Sequence, residues 1–264
     1  MPQSSPFRME SRKRLLLLVA FVFLLSVLTG CTGGKKPSVD PTPVAREVPQ
    51  DSLRAKFLLT ITAGGEAQNL DAVLFSVPGK RYRMELTGPM GVGVASMLWQ
   101  EDGWTMTFPT EKLYMDGAGY MVGLLANDDL PMVHIHQVAG LFEGKLLPEK
   151  YDLLDSAVLQ PEQPSDPVVV VYMAKEKNGN PFSFARKGDD IIWLERRGTG
   201  GKKETLSFTE FKTFEGWNIP SNIVFTRDGV RYLSITIKKI ARNKPFSLGT
   251  WRLNVPRSFK KIGM

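Results

Sequence analysis

Apolar and polar residues alternate one by one along most of the chain beyond residue 51. Tyr82, Met84 and Leu86 share one side of a stretch whose other side is Arg81, Arg83 and Glu85. Trp104, Met106 and Phe108 alternate with two threonines, and Leu233, Ile235 and Ile237 alternate with Ser234, Thr236 and Lys238. Period-two alternation marks a strand with one buried face and one solvated face. It predicts strands near 54–62, 70–77, 81–88, 92–100, 103–108, 112–116, 167–174, 181–187, 190–196, 203–213, 221–227 and 230–240. Pro78-Gly79, Asp102-Gly103, Gly188-Asp189 and Asp228-Gly229 separate neighbouring runs by few enough residues for antiparallel hairpins.

Between 118 and 148 the spacing changes to that of a helix. Tyr120, Leu124 and Leu125 fall on one face, and Met132, Ile135, Val138, Ala139 and Phe142 on another, with Pro131 suited to a helix start. A sheet of this size curls on itself. The fold expected is mainly β: a curled antiparallel sheet, an unclosed barrel of about 11 strands, with a mid-chain helical lid over an apolar cavity. Candidate lining residues are Tyr82, Met84, Leu86, Trp104, Met106, Phe108, Leu124, Ile135, Phe142, Phe182, Phe184, Trp193, Phe208, Phe225 and Ile235.

One turn breaks the usual chemistry of turns. Leu86-Thr87-Gly88-Pro89-Met90-Gly91-Val92 puts a large apolar side chain, Met90, between Pro89 and Gly91, where small or polar residues are the norm.

The N-terminal part is of another kind. Arg12-Lys13-Arg14 precedes an apolar run of 13 residues, Leu15 to Val27, and then Leu28-Thr29-Gly30-Cys31. The run is short for a membrane span and has the proportions of a signal-peptide core. Leu-Thr-Gly-Cys resembles the bacterial lipobox. That resemblance implies cleavage before Cys31, lipidation of Cys31 and, with Thr32 next rather than Asp, delivery to the outer membrane. Residues 32–50 hold four prolines and two glycines with few large apolar side chains, a composition suited to a flexible tether. The organisation expected is 1–30 signal peptide, 31–50 lipidated tether and 51–264 folded domain.

The formal charge of the 264 residues is +7, of which residues 1–30 carry +3, leaving a mildly basic body. That suits an anionic surface but lacks the dense basic stripe of a nucleic-acid binder. Catalytic signatures are missing: there is no Gly-x-Ser-x-Gly, no phosphate-binding loop and no His-Glu-x-x-His. The only histidines, His134 and His136, would point to opposite faces of a helix, so no metal site is expected. No cofactor and no enzymatic activity are expected.

Several short motifs, in their order, resemble the LolA/LolB lipoprotein-carrier superfamily, and within it the outer-membrane receptor type, LolB. Leu86-Thr87-Gly88-Pro89-Met90-Gly91 is similar to a Leu-Thr-x-Pro-Leu-Gly pattern. Met121-Val122-Gly123-Leu124-Leu125, Leu141-Phe142-Glu143-Gly144, Tyr151-Asp152-Leu153 and Pro220-Ser221-Asn222-Ile223 before Asp228-Gly229 follow in the corresponding places. The resemblance implies a monomer that takes lipoprotein acyl chains from a soluble LolA-like periplasmic carrier and passes them to outer-membrane lipids. It assigns Pro89, Met90 and Gly91 to a membrane-insertion loop and places the protein on the periplasmic face of the outer membrane, anchored through Cys31. Two other readings use the same fold. One is a structural envelope lipoprotein whose barrel is filled by Phe182, Phe184, Trp193, Phe208 and Phe225; the other is a carrier of a different lipid. The basic tail 241–264 departs from the family pattern, and Phe246 to Val255 is expected to pack as one more strand.

Overall fold

The computed structural model describes residues 52–63, 66–101, 103–119, 121–123, 132–160, 163, 165–177, 179–198 and 201–263. The chain divides into two units, Met1–Val44 and Ala45–Met264, and all described residues belong to the second. Cys31 and the segments expected to be a signal peptide and a tether therefore lie outside the described residues.

The strands are β1 (Leu53–Ala63), β2 (Glu66–Val77), β3 (Arg81–Thr87), β4 (Gly93–Gln100), β5 (Gly103–Phe108), β6 (Leu113–Ala118), β7 (Met121–Gly123), β8 (Met132–His134), β9 (Tyr151–Leu159), β10 (Val169–Glu176), β11 (Pro181–Lys187), β12 (Asp190–Arg197), β13 (Lys203–Phe214), β14 (Trp217–Arg227), β15 (Val230–Arg242) and β16 (Lys260–Lys261). Fourteen of them form one sheet, ordered β16-β6-β5-β4-β3-β2-β1-β15-β14-β13-β12-β11-β10-β9, and β7 and β8 form a separate hairpin. All neighbours in the large sheet are antiparallel except β16 on β6. Two meanders, β1 to β6 and β9 to β15, are joined where β1 pairs with β15, Ile61 opposite Leu233 and Phe57 opposite Ile237. The sheet curls but stays unclosed, with β9 and β16 at its edges.

Alternation places the core. On β3, Tyr82, Met84 and Leu86 are buried while the residues between them are half-buried. On β1, Leu53, Ala55, Phe57, Leu59 and Ile61 face the same side. One helix, Ile135–Phe142, brings Ala139 and Phe142 into this core, where the Phe142 ring lies 4.7 Å from that of Phe57.

Three expectations need correction. The sheet has 14 strands, not about 11. The segment Tyr151-Asp152-Leu153 opens an edge strand, β9, whose residues after Tyr151 are all exposed, so no buried face imposes alternation, and a bulge leaves Leu154 unpaired between Leu153 and Asp155. The mid-chain region is not a helical pair. Met132–His134 pairs with Met121–Gly123 as a hairpin and the helix starts at Ile135 rather than at Pro131; residues 124–131, Leu124 among them, lie outside the described residues. Nor is 246–255 a strand. Leu248–Trp251 is a 3-10 turn, and Phe246 and Trp251 pack with Val77 and Leu98 in a second small core on the outer face. Arg83 holds this strap from below, its Nη1 donating to the carbonyls of Thr250 at 2.9 Å and Arg252 at 2.6 Å.

Candidate functional site

A cavity of about 740 Å³ lies between the concave face of the sheet and the segment 136–149. The sheet contributes inward-facing side chains from both meanders: Phe57, Leu59, Tyr82 and Met84 from the first, and Phe182, Leu194, Leu206, Ile223, Phe225, Leu233 and Ile235 from the second. Val138 and Leu141 of the helix, with Leu146 and Leu147 after it, complete the wall. The volume falls in the range of small-molecule sites, and the wall is mostly carbon.

The helix is fixed at both ends. Near its start the His136 ring stands edge-on to Tyr82 and Trp99, with centroids 5.1 Å and 5.3 Å away. His136 Nδ1 shares a 2.6 Å hydrogen bond with the Tyr82 hydroxyl, which also accepts from the Gly79 N–H at 2.9 Å. Burial pushes the Tyr82 phenol pKa up, the charge of Glu143 adds to the rise, and the Gly79 N–H opposes it. At the other end the Gly140 carbonyl accepts from the N–H groups of Glu143 and Lys145, both at 2.9 Å. Gly144, at φ 75°, takes the left-handed conformation that stops a helix.

Two carboxylates lie buried near the wall. Glu143, 6% exposed, pairs with Lys145 at 2.8 Å. Glu204, 8% exposed, is held at 3.2 Å by Arg196 through one oxygen and at 3.2 Å by Arg227 through the other. Arg196 also lines the cavity. Among the described residues no group of three or more His, Cys, Asp or Glu could hold a metal ion. No helix among them is long and apolar enough to cross a membrane.

The lining candidates divide into groups. Tyr82, Met84, Phe182, Phe225 and Ile235 line the cavity. Leu86, Trp104, Met106, Phe108, Phe142, Phe184 and Phe208 are buried in the core without lining it. On β4 and β5 the large side chains Trp99, Trp104 and Phe108 are themselves buried in the core, away from this cavity. Phe184 is covered by Tyr172, stacked on it at 4.9 Å. Trp193 is a correction. It pairs with Ala185 and Ser207, while its neighbour Leu194 faces the cavity, so Trp193 belongs to the opposite face. Leu124 and the Ile135 side chain lie outside the described residues. Phe57, Leu59, Leu194, Leu206 and Ile223 were not singled out, although the same alternation marks them.

The Pro89–Gly91 segment is a 3-10 turn, clamped by the Gly88 N–H on the Val92 carbonyl at 2.8 Å. Met90 is 97% exposed at φ 61°. Among the described non-glycine residues with positive φ, the others are Glu, Lys, Asp or Asn, the polar types that turns favour. Met90 is the apolar exception.

No family model matches the chain, and no curated protein matches it. Among solved structures it is similar to a DUF1329 family protein from Desulfovibrio piger, at 13% identity and a TM-score of 0.51 over 77% of this chain and 90% of that one. It is also similar to a LolA superfamily protein from Nitrosomonas europaea, at 14% identity and a TM-score of 0.46 over 73% of this chain and 86% of that one. A further similarity is to a domain from Vibrio parahaemolyticus described for outer membrane lipoprotein sorting, at 11% identity and a TM-score of 0.49 over 76% and 89%. At these identities the likeness is one of fold.

Proposed function

We propose that the chain is a lipid-binding envelope protein that takes acyl chains, those of lipoproteins first, into the cavity and helps place them in the outer membrane. The observation that carries this reading is the cavity of about 740 Å³, walled by aliphatic and aromatic side chains between the sheet and the segment 136–149. Hydrocarbon needs no polar partner. Each buried CH₂ contributes about 0.8 kcal/mol, and binding requires only that water leave the wall. In this reading the helix Ile135–Phe142 yields at its Tyr82–His136 attachment while Phe142 keeps its place in the core, so that an acyl chain can pass it.

The short motifs that resemble those of LolB support the same reading, as does Met90. Holding a large apolar residue outward in a left-handed turn costs about 1 kcal/mol, and nothing in the fold covers it. In this reading Met90, with Pro89 and Gly91, enters the acyl boundary of a bilayer. Full burial of such a side chain is worth roughly 1.5–3 kcal/mol, enough to assist transfer but too little to anchor. Anchoring falls to acyl groups on Cys31, on the periplasmic face of the outer membrane, and cargo arrives from a LolA-like carrier.

The test mixes the unit Ala45–Met264 with a fluorescent fatty acyl probe, then with a carrier loaded with labelled lipoprotein. Probe uptake with label transfer is the expected result. Uptake without transfer points to another lipid as cargo. Refusal of both leaves a structural lipoprotein with a filled barrel and sinks the proposal.

A further inference from the structure

The concave face continues beyond the cavity. On β11, Phe182, Phe184 and Arg186 point to one side, opposite Ala174, Tyr172 and Val170 of β10. Phe182 lines the cavity and Phe184 is packed into the core, so alternation turns the Arg186 side chain inward as well. Arg186 lies about 13 Å along the strand from Phe182. Tyr172, stacked on Phe184 at 4.9 Å, spans the interval, and Val158 of β9, opposite Val170, is 58% exposed beside it. An apolar strip therefore runs from the cavity wall to a positive charge.

That charge has no counter-ion. Arg186 is half-buried, its Nε is closed to solvent and donates to nothing, and its guanidinium makes no ion pair among the described residues. Arg196 and Arg227, on the same face, share the carboxylate of Glu204. A guanidinium that has lost part of its water without gaining a carboxylate gains more from an anion than an exposed one does. Of its nitrogens only Nε is closed off, so the two Nη groups stay open to a bidentate acceptor.

We propose that Arg186 is the headgroup anchor for an anionic single-chain amphiphile, its Nη pair receiving a carboxylate or a phosphate monoester while the chain follows Tyr172 toward the cavity. The inference rests on the cavity as an acyl site and adds a ligand class to it: free anionic amphiphiles beside the acyl groups of lipoproteins. A neutral chain gains burial alone, whereas an anionic one gains burial and a charge-assisted bond. Carboxylate and phosphate both match the planar two-donor edge of a guanidinium.

The sheet pairings and both core clusters lie within Ala45–Met264, so that unit is the one to test. It is titrated by calorimetry, below the micelle-forming range, with dodecanol, dodecanoate and dodecyl phosphate at about pH 8, where both anions are ionised. At least one anion is expected to bind about tenfold tighter than dodecanol, with a preference that shrinks as salt is raised. Preference for dodecanoate alone names a fatty-acid carboxylate as the ligand, and preference for dodecyl phosphate alone names a lipid phosphate; either supports the anchor. Arg186→Gln removes the preference and leaves dodecanol binding unchanged, while Arg186→Lys keeps part of it. Lys187→Gln, on the opposite face of β11, keeps it whole. Circular dichroism melts check that each variant is folded. Equal binding of all three amphiphiles, or a preference that survives Arg186→Gln, would overturn the proposal while leaving the cavity reading in place. Anions held through Arg186 with dodecanol refused would keep the anchor and sink the cavity reading, and refusal of all three would sink both.

Discussion

The Tyr82 hydroxyl and Nδ1 of His136 stand 2.6 Å apart, a bond between strand β3 of the curled sheet and the first turn of the helix Ile135–Phe142. Its neighbours are aromatic: Trp99 lies against Tyr82 at 5.4 Å and against His136 at 5.3 Å. Tyr82→Phe keeps the ring packing and removes the bond. The expected cost is about 1 kcal/mol in urea denaturation. Amide exchange in 135–142 should quicken more than exchange in β3, because the helix loses its attachment while the strand keeps its ladder.

The same phenol sets an alkaline limit. Burial holds its pKa above the ordinary 10.0, so the unfolded chain releases this proton before the folded chain does. The folded state binds more protons in that window, so stability falls as pH rises. The Tyr82 contribution is whole below pH 10.0 and is lost as pH climbs through the higher folded-state value. Denaturation midpoints measured across that range should decline more steeply for the native chain than for Tyr82→Phe.

Met90 has no packing role, so its substitution separates stability from delivery. Met90→Glu should unfold within about 0.5 kcal/mol of the native chain yet slow lipoprotein transfer to vesicles. Met90→Gly, freed from the strain at φ 61°, should gain up to about 1 kcal/mol and also lose transfer. Unchanged transfer by both variants would remove Met90 from the mechanism.

The strands were legible wherever alternation was strict, as along Tyr82-Met84-Leu86 and Leu233-Ile235-Ile237, because one face of each is buried. Legibility failed for three physical reasons. The edge strand β9 is exposed on both faces, so burial gives it no period, and a bulge at Leu154 shifts its register as well. Apolar spacing in a short segment fits helix and hairpin alike, and Met132–His134 resolves as strand through its pairing with Met121–Gly123. Phe246 and Trp251 are held by Arg81, stacked over Trp251 at 4.5 Å, and by the Arg83 hydrogen bonds, which are long-range partners that no local pattern announces. For the cavity, alternation identifies the inward face but not which inward residues leave space. Met84 lines the void and Leu86, two residues on, does not.

Glu204 faces inward at the start of β13, between Arg196 of β12 and Arg227 of β14. Removing it leaves two guanidinium groups without their carboxylate. Arg227 is 17% exposed and suffers most, whereas Arg196, at 45%, reaches water. Glu204→Ala should cost about 1–3 kcal/mol in chemical denaturation. Gly198→Ala should give a smaller loss through the same group, because a Cβ there would press on the Glu204 carboxylate. If the two losses add fully in the double variant, the two residues do not act through one contact.

Leu206 and Phe208 sit two residues apart on the same face of β13, and they should respond in opposite ways. Leu206 is half-buried and borders the cavity, while Phe208 is 1% exposed and packed into the core. Leu206→Trp places added bulk in existing space, so it should change stability by less than about 1.5 kcal/mol and reduce acyl-probe uptake by shrinking the void. Phe208→Ala opens a hole where none exists and should cost about 3–5 kcal/mol, with uptake kept at temperatures where the variant stays folded. Probe titration and thermal melts on both variants separate wall from core. Undiminished uptake by a folded Leu206→Trp would mean that the probe binds somewhere other than this cavity.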